Sequence, residues 1–307
     1  MFVVQSAPPA NSIRDDEGNY YENEEIAAAG SVASIMNDNG TTYYASFEAA
    51  MEKVTEGDTL NLWKDVRLAP QDSGDDFINL PSNVTLNGNG KTITADTSNW
   101  SGEDRHVIGI DNAADVTVQN LKIVGDYTED ADDPKVKAGI HAFNSTDVTI
   151  LDVEITNCGT VGLQINGSTV TATELDIGES GWSCSVNVDD GNATVTPKFT
   201  FNSGTLSDDV QIYTELTDVT NVITVGAGTG LKPVNSGGNS GDPTGLKGFL
   251  YYTDDPAKLG EAYNATTNTV YETVEEALEK AQPGDTVEVV KDATLDTGDT
   301  IPENVTL

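Results

Sequence analysis

The residues with the clearest capacity for chemistry form an acidic loop at 125–137, G-D-Y-T-E-D-A-D-D-P-K-V-K. Carboxylate oxygens are the ligands that Ca²⁺ prefers, and this cation accepts irregular cages. The loop lacks the Asp-x-Asp-x-Asp-Gly order of a defined calcium loop, and charged loops are also common without any ion. A Ca²⁺ site and a simply solvated loop are therefore alternative interpretations of the same carboxylates, which are Asp126, Glu129, Asp130, Asp132 and Asp133.

Three aromatic residues are candidates for binding a glycan. Trp100 and Tyr127 lie in two insertions, at 94–106 and 125–137, that follow the same point of a recurring apolar phrase, and Trp182 follows a later copy. We expect the insertions to project side by side, which would place aromatic rings beside acidic groups, as on sugar-stacking surfaces. The alternative is that Trp100 and Trp182 only cover an open corner of the core.

The two cysteines, Cys158 and Cys184, lie about one structural repeat apart. A disulfide between them would suit an oxidising exterior, and two buried free thiols fit the spacing equally well. The chain has only two histidines, and neither has ligand spacing to the cysteines. A zinc site built on the cysteines is therefore not predicted.

The elements that position these residues are short strands. The phrase V-T-V-Q-N-L-K-I at 116–123 recurs as V-T-I-L-D-V-E-I at 148–155 and V-T-A-T-E-L-D-I at 170–177, with an imperfect copy at 84–93. Apolar residues at positions 0, +2, +5 and +7 predict two strands joined by a corner. A short polar residue before each phrase predicts a turn, and one outward column is expected at Thr85, Thr117, Thr149 and Thr171.

A third apolar segment precedes each phrase, at Ile108/Ile110, Ile140/Ala142, Leu163/Ile165 and Val186/Val188. Three strands per repeat, with phrase starts 32, 32 and 22 residues apart, indicate coils of about 22 residues with two insertions. A sandwich of hairpins is the alternative, but it would not require one phrase to recur in fixed register. The sequence therefore predicts an all-β, right-handed parallel β-helix.

A second, longer duplication involves a short helix. Residues 43–68 match residues 270–295, and L-P-S-N-V-T-L at 80–86 matches I-P-E-N-V-T-L at 301–307. In the first copy Phe47, Ala50, Met51 and Val54 predict a capping helix over 46–54, and in the second Thr273 and Glu276 predict a capping box. We divide the chain into a flexible leader (1–19), a β-helix domain with its cap (20–233), a linker (234–250) and the cap of a second, truncated repeat (251–307).

These segments carry a resemblance to a known class. The order of an aromatic, a short helix, G-D-T, a strand, K-D and P-x-N-V-T-L, followed by G-N-G-K-T-I, resembles the start of right-handed parallel β-helices of the pectate-lyase-like class. It is most similar to repeat modules of large bacterial surface proteins and adhesins. The resemblance covers about 43–201 and 270–307 and concerns the fold, because the same coils carry lyases, hydrolases, tailspikes and stalks.

The resemblance also indicates what an enzyme of this class would need. Family lyases are expected to use acidic Ca²⁺ ligands with an Arg or Lys base, and the hydrolases three Asp residues with a His and an Arg-x-Lys. Of the arginines only Arg105 lies near the coils, and the pair Asp189 and Asp190 is followed by neither Gly-His-Gly nor Arg-x-Lys. We therefore name no catalytic residue.

Charge limits the partners. With 51 acidic against 15 basic residues the net charge is −36, which disfavours nucleic acid and anionic membrane surfaces. No apolar run is long enough for a transmembrane helix. The sequence predicts a secreted or cell-surface adhesin or stalk module with weak glycan binding, contacts to surface proteins and head-to-tail self-association through the C-terminal cap. The alternative is a lyase or hydrolase that acts on acidic polysaccharide.

Overall fold

The protein is mostly β-structure arranged in two large sheets. The structure is a computed structural model and describes residues 13–21, 23–69, 76–98, 105–128, 135–178, 180–182, 184–214, 216, 222–235, 250–258, 260–295 and 300–307. In this part of the chain the helices are α1 Glu24–Gly30, α2 Phe47–Met51, α3 Val274–Lys280 and a 3₁₀ turn at Pro256–Lys258. The strands are β1 Ile13–Arg14, β2 Tyr20–Tyr21, β3 Ala33–Asn37, β4 Gly40–Tyr44, β5 Thr59–Leu62, β6 Val66–Leu68, β7 Ile78–Asn79, β8 Thr85–Ala95, β9 Ile108–Asp111, β10 Thr117–Val124, β11 Ala138–Phe143, β12 Val148–Thr156, β13 Val161–Asn166, β14 Thr169–Ile177, β15 Cys184–Asp189, β16 Lys198–Phe201, β17 Val210–Thr214, β18 Ile223–Val225, β19 Lys232–Asn235, β20 Leu250–Thr253, β21 Ala262–Asn264, β22 Thr269–Tyr271 and β23 Val287–Val289.

Strands in the central part of the chain alternate between the two sheets. The first sheet has the order β18-β16-β14-β12-β10-β8-β5-β3-β4, with β6 also paired to β8. The second has the order β23-β21-β22-β19-β20-β17-β15-β13-β11-β9-β7. From β7 to β18 the neighbours within each sheet are parallel, so the chain adds one strand to each sheet in turn. The predicted β-rich class with parallel strands is confirmed.

The recurring phrase determines the register of the first sheet. Val118 pairs with Ile150 and Ile150 with Ala172, and the apolar positions nearer the end of each phrase pair in the same way. Val116, Val148 and Val170 are at most 2% exposed. Like side chains therefore lie over one another in a common core, which burial of apolar area stabilises.

The outer face of the first sheet carries a column of threonines. The four predicted members are in register, and the pairing extends the column in both directions. Among the described residues the column comprises Thr59, Thr85, Thr117, Thr149, Thr171, Thr200 and Thr224. Strand alternation places these hydroxyls opposite the apolar core.

The turns and corners use left-handed backbone at short polar residues. The residue before a phrase has positive φ at Asn83, Asp115, Asp147 and Asn192. Thr169 instead accepts a hydrogen bond through Oγ1 from the Asp147 N–H, at 2.7 Å. The predicted corner inside each phrase is a single residue with positive φ, at Asn120, Asp152 and Glu174, and the strand continues through it. Asn and Asp adopt this conformation at lower cost than most side chains.

The duplicated sequence folds twice into the same unit. In the first copy β3 pairs antiparallel with β4 and with β5, and in the second β21 pairs antiparallel with β22 and with β23. A helix joins the second and third strand of each unit, and its N-terminal hydroxyl, on Ser46 or Thr273, accepts a backbone hydrogen bond. The predicted capping box is half formed, because the Glu276 carboxylate binds Lys280 instead. Helix α2 ends at Met51, earlier than predicted.

The two copies differ in what covers their apolar residues. Four leucines of the first copy are at most 3% exposed, whereas their counterparts in the second are 42% to 51% exposed. The corresponding pairs are Leu62/Val289, Leu68/Leu295, Leu80/Ile301 and Leu86/Leu307. In the first copy, β8 and the strands that follow it supply the covering layer.

The structure describes part of the predicted leader and the two ends of the predicted linker. Within the predicted leader, β1 pairs with β2, and the Asp15 carboxylate accepts hydrogen bonds from Asn19 and Tyr21. Residues 234–235 end β19 and residue 250 begins β20, while residues 236–249 lie outside the described part. Among the described helices, none has the length and apolar character needed to span a membrane.

Candidate functional site

A polar column runs along the outer face of the second sheet. Successive parallel strands place one residue each in register, from β7 to β17. The column is Asn79, Gly109, His141, Gln164, Asn187 and Tyr213. Beside it lies a groove of about 290 Å³, whose lining residues are His106, Lys137, Thr160, Val161, Gln164, Trp182 and Asn187.

At one end of the column Asp76, His106 and His141 come together. One potential ligand atom from each lies within 4.8 Å of the others. His106 Nδ1 is 3.0 Å from Asp76 Oδ1, and the same oxygen accepts a hydrogen bond from the His106 backbone N–H at 2.9 Å. The centroids of the two imidazole rings are 4.2 Å apart, and the ring planes are inclined to each other at 43°. Both histidines of the chain are therefore in one cluster with a carboxylate.

Gly109 makes the cluster sterically possible. It lies in the polar column between Asn79 and His141, where any other residue would project a side chain into the cluster. A Cβ at this position would overlap Asp76 Oδ2 and lie 2.8 Å from Asn79 Oδ1. The missing side chain leaves a hollow that the Asp76 carboxylate occupies.

Neighbouring amides orient His141. Its Nε2 is 3.0 Å from Asn166 Oδ1, and this oxygen also accepts a hydrogen bond from Gln164 Nε2 at 2.9 Å. Since an amide oxygen is only an acceptor, His141 carries a proton on Nε2 and presents a lone pair on Nδ1 when the ring is neutral. The ring that faces His106 thus has a defined orientation and tautomer.

The charges in the cluster differ from those of isolated side chains. Burial disfavours the charged Asp76 carboxylate, but hydrogen bonds from His106 outweigh this effect and hold its pKa below the ordinary value. Desolvation, and then the negative charge of Asp76, raises the pKa of Asp111. Burial, and then the neighbouring His106, lowers the pKa of His141 to about 4. At neutral pH the site therefore combines an ionised carboxylate with a neutral imidazole.

Two of the three predicted aromatic residues lie at the same edge. Trp182 is 52% exposed and lines the groove, and its backbone N–H donates to Thr160 O at 3.2 Å. A Cβ at Gly181 would lie 3.2 Å from Tyr127 Cε2, so the tyrosine ring packs against the turn that carries the tryptophan. Trp100 lies outside the described residues.

The predicted acidic loop is described only at its ends. Asp126 is half-buried, and its carboxylate accepts hydrogen bonds from Thr97 Oγ1 at 2.8 Å, Lys135 N at 3.0 Å and Val136 N at 2.9 Å. These contacts, with the bridge between Arg105 and Val136, join the described ends of the two insertions. The Asp126 carboxylate thus links Thr97 to the backbone at Lys135 and Val136. The remaining predicted calcium ligands, Glu129, Asp130, Asp132 and Asp133, lie outside the described residues.

The other sequence candidates lie elsewhere. Asp189 ends β15 in register with Asn166, and Asp190 accepts a hydrogen bond from the Asn192 N–H in the following turn. The backbone of Arg105 bridges to Val136 at the base of the insertions. Cys158 and Cys184 are buried free thiols that belong to separate apolar clusters.

The cluster of Asp76, His106 and His141 is not predicted by the sequence patterns described above. His141 follows the buried Ile140 in β11, so the alternation of side chains along a strand predicts that it lies on the outer face. His106 stands two residues before the inward Ile108, so alternation alone would point it inward, and Asp76 has no place in the repeat. The two histidines lie in or just before neighbouring strands, His106 before β9 and His141 within β11. An alignment of the sequence segments that contain these strands would have indicated that the histidines are close together.

Comparisons of the chain with protein-family models, with curated proteins and with solved structures gave no match in any of the three. Function is therefore inferred from the geometry of the chain itself.

Proposed function

We propose that this chain is a repeat module of a secreted or cell-surface protein that serves as a stalk or adhesin segment. The observation that carries the proposal is the recurrence of one capping unit, with equal strand pairing and equal helix capping, at 33–62 and 262–289. A unit that recurs with its contacts intact is typical of tandem arrays. The acidic surface suits an exterior that is rich in counterions.

The scaffold that we propose is a right-handed parallel β-helix of the pectate-lyase-like class. Support comes from the strict alternation of parallel strands between two sheets and from the stacking of like residues across successive strands. Connections between parallel strands are right-handed in nearly all known cases. Small-angle X-ray scattering tests the proposal, because a stacked scaffold gives an elongated particle and a sandwich of the same mass a compact one.

Weak glycan binding is the activity that we assign to the groove beside Trp182. An exposed indole next to Gln164 and Asn187 combines an apolar platform with hydrogen-bonding amides. Sugars present both an apolar face and hydroxyl groups, so this pairing fits them.

Glycan screening with matched variants tests this assignment. We expect Trp182→Ala to weaken binding by about tenfold, which corresponds to about 1.4 kcal/mol. Leu151→Ala is the control, because Leu151 is an exposed apolar residue of the first sheet. Equal binding by wild type and Trp182→Ala, or equal loss in the control, would count against a site in this groove.

A polysaccharide lyase or hydrolase is the second candidate. One observation favours it: the pKa of Asp76 is lowered, while the pKa of Asp111, at the end of β9, is raised by desolvation and then by the charge of Asp76, as expected for an acid and base pair. Release of unsaturated uronides or reducing ends from acidic polysaccharides, lost in Asp111→Asn, would replace the stalk proposal with this one. Absence of turnover across a panel of polysaccharides would rule out the enzyme proposal.

We also propose weak head-to-tail association between copies through the second capping unit. Its exposed apolar residues correspond to residues that are covered in the first unit, such as Leu86 for Leu307. Sedimentation analysis across a concentration series tests the proposal. Leu307→Asp is expected to abolish any concentration-dependent association, and a strict monomer at the highest concentration would contradict it.

A further inference from the structure

We propose that Asp76, His106 and His141 form a binding site for a divalent transition-metal ion, with Zn²⁺ as the reference ion. This inference goes beyond the stalk or adhesin function and does not depend on it. It concerns the end of the polar column, next to the groove.

The chemistry of the ligands selects the class of ion. Two imidazole nitrogens and one carboxylate oxygen form the set found in three-ligand zinc sites and in the facial triads of other first-row metals. Ca²⁺ requires six to eight oxygen ligands and Mg²⁺ also prefers oxygen, so neither suits two histidines. The expected ion is therefore one of borderline softness. This site is distinct from the Ca²⁺ site predicted in the acidic loop at 125–137, which offers only oxygen ligands.

The geometry is close to what such an ion requires. Zinc bonds to nitrogen and carboxylate oxygen are about 2.1 Å long, so two tetrahedral donors lie about 3.4 Å apart. His106 Nδ1 and Asp76 Oδ1 are already 3.0 Å apart. The largest separation in the cluster is within 4.8 Å, so closing it requires movements of at most about 1.4 Å. Side-chain rotation supplies displacements of this size.

The hydrogen bonds around the cluster leave the donor atoms available. His141 presents Nδ1 because its Nε2–H is bound to Asn166, which is the arrangement of a supported metal ligand. At His106 the ion would take the place of the hydrogen shared with Asp76, and the imidazole would carry its proton on Nε2. Asp76 Oδ2 accepts no hydrogen bond from the described residues and lies in the hollow at Gly109.

The surroundings allow an ion to enter. The side chains of Asp76 and His106 retain 11% and 18% exposure, so the cluster is neither sealed nor fully open. Because His106 also lines the groove that contains Trp182, a fourth ligand would approach from the groove. Three protein ligands leave that position for water or for an oxygen of a bound molecule.

Calorimetric titration of the untagged full chain with ZnCl₂, in millimolar Mg²⁺ to occupy surface carboxylates, tests the proposal. We expect one ion per chain in the wild type. His141→Gln and Asp76→Asn should each weaken binding by about 100-fold or more, and Asn166→Ala by about 10-fold to 100-fold. Glu154→Gln is the charge-matched control, because it removes one carboxylate from the exposed face of the first sheet and should bind like wild type.

The two imidazoles provide a second readout that does not depend on any variant. Since the chain has only two histidines, both in the cluster, their ¹⁵N signals in the wild type should shift together on addition of one equivalent of Zn²⁺. Unmoved imidazole signals would overturn the proposal even if calorimetry detects zinc, because the ion would then bind carboxylates alone. Equal affinity in a folded His141→Gln variant would overturn it as well.

Discussion

Asp58 and Asp285 occupy the same position in the two copies of the capping unit. Each carboxylate accepts a hydrogen bond from the backbone N–H three residues earlier, Thr55 at 2.8 Å and Gln282 at 2.9 Å. Each also accepts one from an asparagine of the preceding hairpin, Asn37 at 2.8 Å and Asn264 at 2.9 Å. The aspartate therefore connects the turn after the helix to the hairpin before it, in both copies.

Replacing Asp58 by Ala should destabilise the first unit. The substitution leaves the Thr55 N–H and the Asn37 amide without their acceptor, and loss of a buried, charged acceptor costs about 1 to 3 kcal/mol. Urea unfolding monitored by circular dichroism measures the change. Asp38→Ala, in the exposed hairpin turn, is the control and should unfold near the wild-type midpoint. A wild-type midpoint for Asp58→Ala would show that the shared contact is not stabilising.

Two adjacent residues of β12 test which side of the strand faces the core. Ile150 is fully buried and Leu151 is 37% exposed. Ile150→Ala should cost about 2 to 5 kcal/mol through lost burial and a cavity, whereas Leu151→Ala should cost less than about 1 kcal/mol. Thermal and urea unfolding provide the comparison. Equal losses at both positions would mean that the register of this strand is wrong.

The cysteines should be unreactive in the folded protein. Burial raises the pKa of Cys158 to about 12 and also raises the pKa of Cys184. At pH 8 about 10⁻⁴ of the Cys158 thiol is then thiolate, the reactive form. We expect no reaction with a thiol reagent in buffer and two reactive thiols in denaturant without reductant. If denaturation alone releases none, the two residues form a disulfide.

Asp285 should make the second capping unit sensitive to acid. Hydrogen bonds from the Gln282 N–H and from Asn264 lower its pKa below the ordinary value of 3.8. Because the folded pKa is the lower one, this stabilisation is complete above pH 3.8 and is lost as the pH falls through the folded value. Titration of the carboxyl carbon by NMR measures the pKa directly. In Asp285→Asn the stability of the unit should depend less on pH between about 5 and 2, and an unchanged dependence would contradict the assignment.

The strands, the core columns and the duplicated cap were predictable because each depends on a pattern that repeats. Val116, Val148 and Val170 are recognisable from alternation alone, and the turn residues from their small polar side chains. Tertiary packing shortened α2, since Val54 packs on the core from outside the helix. Glu276 has two possible partners, and Lys280 one turn later competes successfully with the cap.

The cluster of Asp76, His106 and His141 was harder to predict. His141 belongs to a strand, but His106 and Asp76 lie where the chain enters a strand, and side-chain direction at such corners depends on the local backbone. Gly109 leaves space for the Asp76 carboxylate because it has no side chain. A search of the sequence for ligand residues does not consider glycine. The proximity of these three side chains can be recognised only from the three-dimensional arrangement of the paired strands.

The pairing of Thr149 with Thr171 and of Ile150 with Ala172, at a constant offset of 22 residues, has an evolutionary consequence. If one such stretch were deleted, or copied once more by unequal recombination, the ends on either side would still meet matching edges. A gain or loss of this 22-residue increment would therefore keep threonine beside threonine and one aliphatic residue beside another at these positions.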